Sequence, residues 1–256
     1  MRKIQSTYKL VAGALTLAAV VAMPTSVRAV AVTLNVNSGL SSLTLSGNAF
    51  GLNFVQQSAG SLSTFWGGTI SGDLTGGVFT FTGGSAITAN VNPGGPYTTA
   101  PNPIGIEAGN YGVKAVGVVT GFPGLITVNG VYKNLVLDIT SGTAQNGAAP
   151  AGQTFNYSSG ILDYGAASST AGPLTIGSSS LVGVNGLDTS AAIVSFDGTT
   201  LSLPVTFHTT GSNRFEDWNG TIVATVVVPE PSSLALLGVG LLGLVGVQFR
   251  RSRRSL

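Results

Sequence analysis

The chain has 256 residues, no cysteine, a single histidine and few charged side chains, which excludes disulfides, thiolate metal sites and multi-histidine metal centres. Its formal charge of +2 is a property of the two ends. Between Val30 and Val228 three basic residues (Lys114, Lys133 and Arg214) stand against eight acidic ones, a net −5 that offers nucleic acid or anionic lipid no basic face.

Met1–Ala29 reads as a secretory signal peptide. Arg2, Lys3 and Lys9 form a positive head, Leu10–Met23 is apolar, and Pro24 breaks the run. Val27-Arg28-Ala29 and Ala29-Val30-Ala31 both fit a small-residue cleavage site, so cleavage is expected after Ala29 or Ala31, with the secretion machinery and signal peptidase as partners.

From Val32 the pattern is β. Thr33–Asn37, Ser42–Ser46 and Phe50–Phe54 alternate polar and apolar residues, as strands with one buried face do. Gly60, Gly67-Gly68, Gly76-Gly77 and Gly83-Gly84 read as turns, with strands over Thr69–Leu74, Val78–Phe81 and Ala86–Val91 between them. Asn92–Gly109 carries four prolines and is expected to be a long surface loop. Tyr111–Thr120 and Val131–Thr140 read as central strands, and Ser141–Gly152 as a loop. Gln153–Tyr157, Ile161–Tyr164 and Leu174–Ile176 follow as short strands. Ala191–Phe196 and Thr200–His208 form a hairpin across Asp197-Gly198, and Pro204 puts the second strand at an edge or bulge. Thr221–Val228 is the last strand. These elements predict one all-β domain over residues 30–228, an antiparallel barrel or sandwich of about a dozen strands, with a β-solenoid as the alternative.

The chemistry on offer is sparse. His208 lacks the companions of a metal set, and no Gly-x-Ser-x-Gly elbow supplies a nucleophile for it. Glu107, Asp163, Asp188, Glu216 and Asp217 are the carboxylates from which a glycoside-cleaving pair would be drawn, but nothing in their spacing pairs them. Arg214–Gly220 is the densest charged and aromatic cluster. It reads as a solvated turn in which Glu216, Asp217 and Trp218 are the candidate ligand contacts. Trp66, Trp218, Tyr97, Tyr111, Tyr132, Tyr157 and Tyr164 are either core or a sugar-stacking platform, with Tyr97 the one expected to be exposed. Trp66-Gly67-Gly68-Thr69-Ile70 and Trp218-Asn219-Gly220-Thr221-Ile222 repeat a W-x-G-T-I pattern, read as two hairpins that begin alike. No cofactor and no metal is expected.

The C-terminal stretch has three parts in order. Val228-Pro229-Glu230-Pro231 is rigid and polar, Leu234–Phe249 is uncharged and glycine-rich, and Arg250, Arg251, Arg253 and Arg254 end it. The apolar run, extended to Ser232, approaches the roughly 20 residues of a membrane-spanning helix. The arginines hold the C-terminus on the cytoplasmic side and leave the bulk of the chain outside. On these residues the tail, about 228–256, resembles the PEP-CTERM sorting signal, with 229–256 taken as the sorting segment. The resemblance implies recognition of Pro229, Glu230 and Pro231 by an exosortase, with a membrane-anchored intermediate, in an exopolysaccharide-producing bacterium. The expected function is therefore a non-enzymatic exported protein of the cell surface or extracellular matrix. The alternatives are a carbohydrate-binding module for the cell's own polysaccharide and a glycoside-active enzyme.

Overall fold

The computed structural model describes residues 28–49, 51–56, 61–97, 100, 109–118, 126–147, 152–164, 168–169, 177–188, 193–211 and 214–227. The expected leader up to residue 27, the strand at Leu174–Ile176, Glu107, the Pro-Glu-Pro motif, the membrane helix and the terminal arginines lie outside these residues. Among those described, no helix is long and apolar enough to cross a membrane, and all regular structure is β.

The strands are β1 (Val30–Val36), β2 (Ser42–Ala49), β3 (Leu52–Val55), β4 (Ser63–Thr75), β5 (Val78–Phe81) and β6 (Ala86–Ala89). They continue with β7 (Val113–Val118), β8 (Ile126–Ser141), β9 (Thr143–Gln145) and β10 (Thr154–Asp163). Four short strands follow: β11 (Ser168–Ser169), β12 (Ser178–Ser180), β13 (Asn185–Asp188) and β14 (Ser195–Phe196). The last two, β15 (Thr200–Gly211) and β16 (Arg214–Val226), are long and pair over their whole length. All belong to one large antiparallel sheet, as the all-β expectation required. The pairings return to their start: β16 pairs β1, β1 pairs β4, and the chain of pairs passes through β6, β8, β10, β13 and β15 back to β16. A closed ring of pairs leaves few open edges, which are the usual route to sheet aggregation.

Alternation decides which side chains fill the interior. On β15, Leu201, Leu203, Val205 and Phe207 are buried at every second position. On β16, Glu216, Trp218, Ile222 and Ala224 are their counterparts. The apolar ones join Leu34, Leu43, Leu45, Trp66, Ile70, Ile87, Leu137, Ile139 and Phe155 in the main hydrophobic core, and Tyr111 and Val131 form a small second cluster. Trp66 and Trp218 meet edge to face at 5.7 Å near its middle, and Phe207 stacks on Trp218 at 6.3 Å. Burial of each large side chain contributes on the order of 2–3 kcal/mol.

Several local expectations change. Gly67-Gly68 is no turn but lies inside β4, where Gly68 has φ +97°. A Cβ there would fall on the Ala86 carbonyl oxygen of the paired strand β6, so only glycine lets the two backbones close. Trp218-Asn219-Gly220 likewise lies inside β16, so the repeated W-x-G-T-I pattern marks two strand interiors rather than two hairpin starts. Gln153–Tyr157 and Ile161–Tyr164 are one strand, β10, whose register against β8 shifts at three places. The Ser141–Gly152 segment contains β9. The hairpin turn after β14 is shifted by one residue. Asp197 N–H donates to the Thr200 carbonyl at 3.2 Å, so Gly198 and Thr199 form the tip. The Asp197 carboxylate accepts from the Thr199 and Thr200 N–H groups, and these bonds hold it below the usual carboxylate range.

Pro204 sits where β15 lacks a second neighbour. β14 pairs only Leu201 and Ser202, and β13 pairs only Phe207 and His208. Two residues on, the Thr206 N–H points to the same side and is taken up by the Asp188 carboxylate at 2.9 Å. The missing proline N–H thus falls on a locally open edge, as the physics of proline in sheets requires.

Candidate functional site

The polar residues of the domain separate into an interior set and an outer face. Glu216 is fully buried. Its carboxylate accepts from the hydroxyls of Tyr132 at 2.9 Å, Thr209 at 3.0 Å and Tyr157 at 3.4 Å. Arg214 Nε lies 2.9 Å from its Oε1, a contact of charges rather than an aligned hydrogen bond, since that N–H makes none. Burial pushes the Glu216 carboxyl up; Arg214 and the three hydroxyls pull it back without cancelling the effect. The neighbouring Tyr132 and Tyr157 phenols are driven well above their ordinary range, chiefly by burial and then by the Glu216 charge.

Of the three residues proposed as ligand contacts, Glu216 and Trp218 therefore point into the core, and Asp217 alone faces outward. Arg214–Gly220 is not a solvated turn but the first half of β16. Asp217 pairs across the strands with His208, Nδ1 to Oδ1 at 2.6 Å, and both are partly exposed. A second buried ion pair joins Lys133 to Asp163 at 2.7 Å, with Lys133 Nζ also donating to the Ala100 carbonyl at 3.1 Å. Asp138 accepts from the Gly84 and Ser85 N–H groups at 3.1 and 2.7 Å and so fixes the turn before β6. Among the described residues no three His, Cys, Asp or Glu side chains gather as a metal donor set.

The aromatic residues do not form an exposed platform. Trp66, Trp218, Tyr111, Tyr132, Tyr157 and Tyr164 are all buried. Tyr97, expected to be exposed, donates its hydroxyl to the Ala89 carbonyl at 2.8 Å, and partial burial pushes it up to about 12. Among the described residues, the large aromatic that does face solvent is Phe65, 53% exposed. A signal for it was present in the sequence. Phe65 and Trp66 are adjacent in a strand, so only one of them can enter the core.

Phe65 stands at the end of a groove of about 520 Å³ on the outer face. Ser42, Ser63 and, just after β6, Asn90, Val91 and Asn92 line it together with Phe65. None of the described lining residues is charged. The register of the sheet continues this surface sideways. Thr221 of β16 lies opposite Ser42 of β2, which lies opposite Phe65 of β4. In the next row Thr206, Asn219, Thr44 and Ser63 follow one another across β15, β16, β2 and β4. The Thr44 and Ser63 hydroxyls bond each other at 2.6 Å.

The PEP-CTERM protein-sorting motif matches residues 227–254. The match begins one residue after β16 ends at Val226 and covers the Pro-Glu-Pro segment, the apolar run and the arginines. The chain thus carries a PEP-CTERM sorting signal, the mark of an exported protein sorted by an exosortase. No curated protein matches the chain, and no solved structure matches it. The match speaks for the tail alone; the sheet must be interpreted from its own geometry.

Proposed function

We propose that the chain is a non-catalytic protein of the cell surface or extracellular matrix, delivered by an exosortase in an exopolysaccharide-producing bacterium. In this reading Met1–Ala29 is removed by signal peptidase. The ring of strands, taken as a barrel, folds outside, and Ser232–Phe249 holds it in the membrane until the tail is cut at the Pro-Glu-Pro segment. The carrying observation is the sorting-motif match at residues 227–254, set directly against the last strand.

The state of the described carboxylates supports a non-catalytic domain. Glu216 is sealed in the core. Asp163 is tied to Lys133, Asp138 to a turn, Asp188 to the backbone of β15, and Asp197 to its own hairpin. Asp73 and Asp217 are left half-exposed, and the sheet does not set them opposite each other: Asp73 lies against Ala31 and Thr80, and Asp217 against Ser46 and His208, to which it is paired, so neither faces the second acid that glycoside cleavage needs.

Replacement of Pro229, Glu230 and Pro231 by alanines in the native host tests the sorting step. Export should persist while the uncut form accumulates in the membrane fraction. Normal processing of that variant would refute it.

A further inference from the structure

We propose that the outer face of β15, β16, β2 and β4, with the groove at Phe65, binds a neutral linear polysaccharide; this deepens the reading of the domain as an exported one. The first argument is charge. The chain between Val30 and Val228 carries a net −5, yet among the described residues the groove is lined by uncharged side chains only. An acidic polymer would be repelled by the domain as a whole and find no cation in the groove, while a neutral one meets neither obstacle.

The second argument is hydrogen-bonding capacity. The side chains of Ser42, Asn90 and Asn92 make no hydrogen bond among the described residues and are exposed. Asparagine amides both donate and accept, as the vicinal hydroxyls of a sugar require. Thr44 and Ser63 are already oriented by their mutual bond, so less side-chain freedom is lost on binding. The third argument is the exposed Phe65 ring. It sits at the end of this polar surface and offers an apolar face to the C–H side of a pyranose, whose polar edge then meets the amides.

The direction of the ligand follows from the sheet. Paired strands are about 4.8 Å apart, close to the length of one sugar unit in an extended chain. A polymer crossing β15, β16, β2 and β4 along the row Thr206, Asn219, Thr44 and Ser63 would place successive units over successive strands. Binding of this kind is spread over several units, with Phe65 the one strong anchor.

The test is affinity electrophoresis of the full chain in non-ionic detergent, in gels containing hydroxyethyl cellulose, glucomannan, dextran or alginate. At least one neutral polymer should retard the protein, and alginate should not. Phe65→Ala and the double variant Asn90→Ala/Asn92→Ala should each weaken retardation about tenfold, and Phe65→Trp should retain it. Val182→Ser, at an exposed site away from the groove, should change nothing. Circular dichroism spectra and melting curves of every variant establish that it is folded. Failure of all three neutral polymers, preference for alginate, or retardation indifferent to Phe65→Ala in a folded variant would overturn the proposal. So would self-association through Phe65, seen as concentration-dependent sedimentation without retardation. None of these outcomes bears on tail cleavage, which the Pro-Glu-Pro variant tests separately.

Discussion

Glu216 is the residue on which most of the interior polar network converges. Three hydroxyls and one guanidinium reach its carboxylate: Tyr132 from β8, Tyr157 from β10, Thr209 from β15, and Arg214 from β16 itself. Its unfolded counterpart titrates near 4.5 and its folded form higher, because burial outweighs Arg214. The folded protein therefore holds this proton more firmly. The group's stabilising contribution is complete below about 4.5 and is lost as pH rises through the folded value. Tyr132 and Tyr157 remain neutral across this window, since burial drives both upward. Asp197 acts in the opposite sense and lower, losing its contribution as pH falls through its depressed value. Melting curves taken as the pH is lowered from neutral to about 4.5 should show a component of stability gained on acidification in the native protein that is absent in Glu216→Gln. Parallel pH dependence in the two proteins would contradict this. Half of this was legible in advance. Adjacent strand residues must face opposite ways, so Glu216 and Asp217 had to part. Ile222 and Trp218 also share the parity of Glu216, which puts it inside. The density of polar residues at Arg214–Gly220 masked that parity and pointed instead to a turn.

At the scale of elements, β4 and β16 are two long strands that perform the same task. Each pairs β2 with its N-terminal part and β1 with its C-terminal part. Ser41, buried between β1 and β2, ties the two together. Its carbonyl accepts from Trp66 N–H at 2.9 Å, and its hydroxyl accepts from Val223 N–H at 2.9 Å. The shared W-x-G-T-I pattern lies at this crossover in both strands, with tryptophan and isoleucine filling the core and glycine admitting a neighbouring backbone. The added Cβ would meet Ala86 O at Gly68 and Ser42 O at Gly220. Gly68→Ala should therefore cost about 2–4 kcal/mol, against about 1 for Gly76→Ala. The latter also has positive φ but lies at the β4–β5 turn in open space. Equal losses in chemical denaturation would show that backbone conformation, not the close approach of β6, sets the requirement at Gly68. Strand existence was readable from alternation, and Val78–Phe81 was read to the residue. Elements such as Ser178–Ser180 and Asn185–Asp188 were not, because these short, mostly polar sequences carry no apolar alternation and form strands only where β10, and for Asn185–Asp188 also β15, supplies a partner. The role of Gly68 was missed for a similar reason. A glycine pair reads alike whether it turns a chain or lets another chain approach.

The whole molecule is arranged so that its first and last strands complete the ring together. Leu34 pairs with Val226, and Val227 N–H still donates to the Thr33 carbonyl at 3.1 Å. The matched sorting motif begins at that same residue 227. The sheet cannot close until the chain through residue 227 has crossed the membrane, and a folded domain then stands two residues from Pro229. In the proposed function, exosortase processing and folding thus meet at one short junction. The measurement that bears most directly on this arrangement is C-terminal mass spectrometry of the mature protein taken from its native host. A protein lacking Leu234–Leu256 is the predicted result, with its new end close to Pro229-Glu230-Pro231. Mature protein that still ends at Leu256 would mean a permanent tail anchor and contradict exosortase processing.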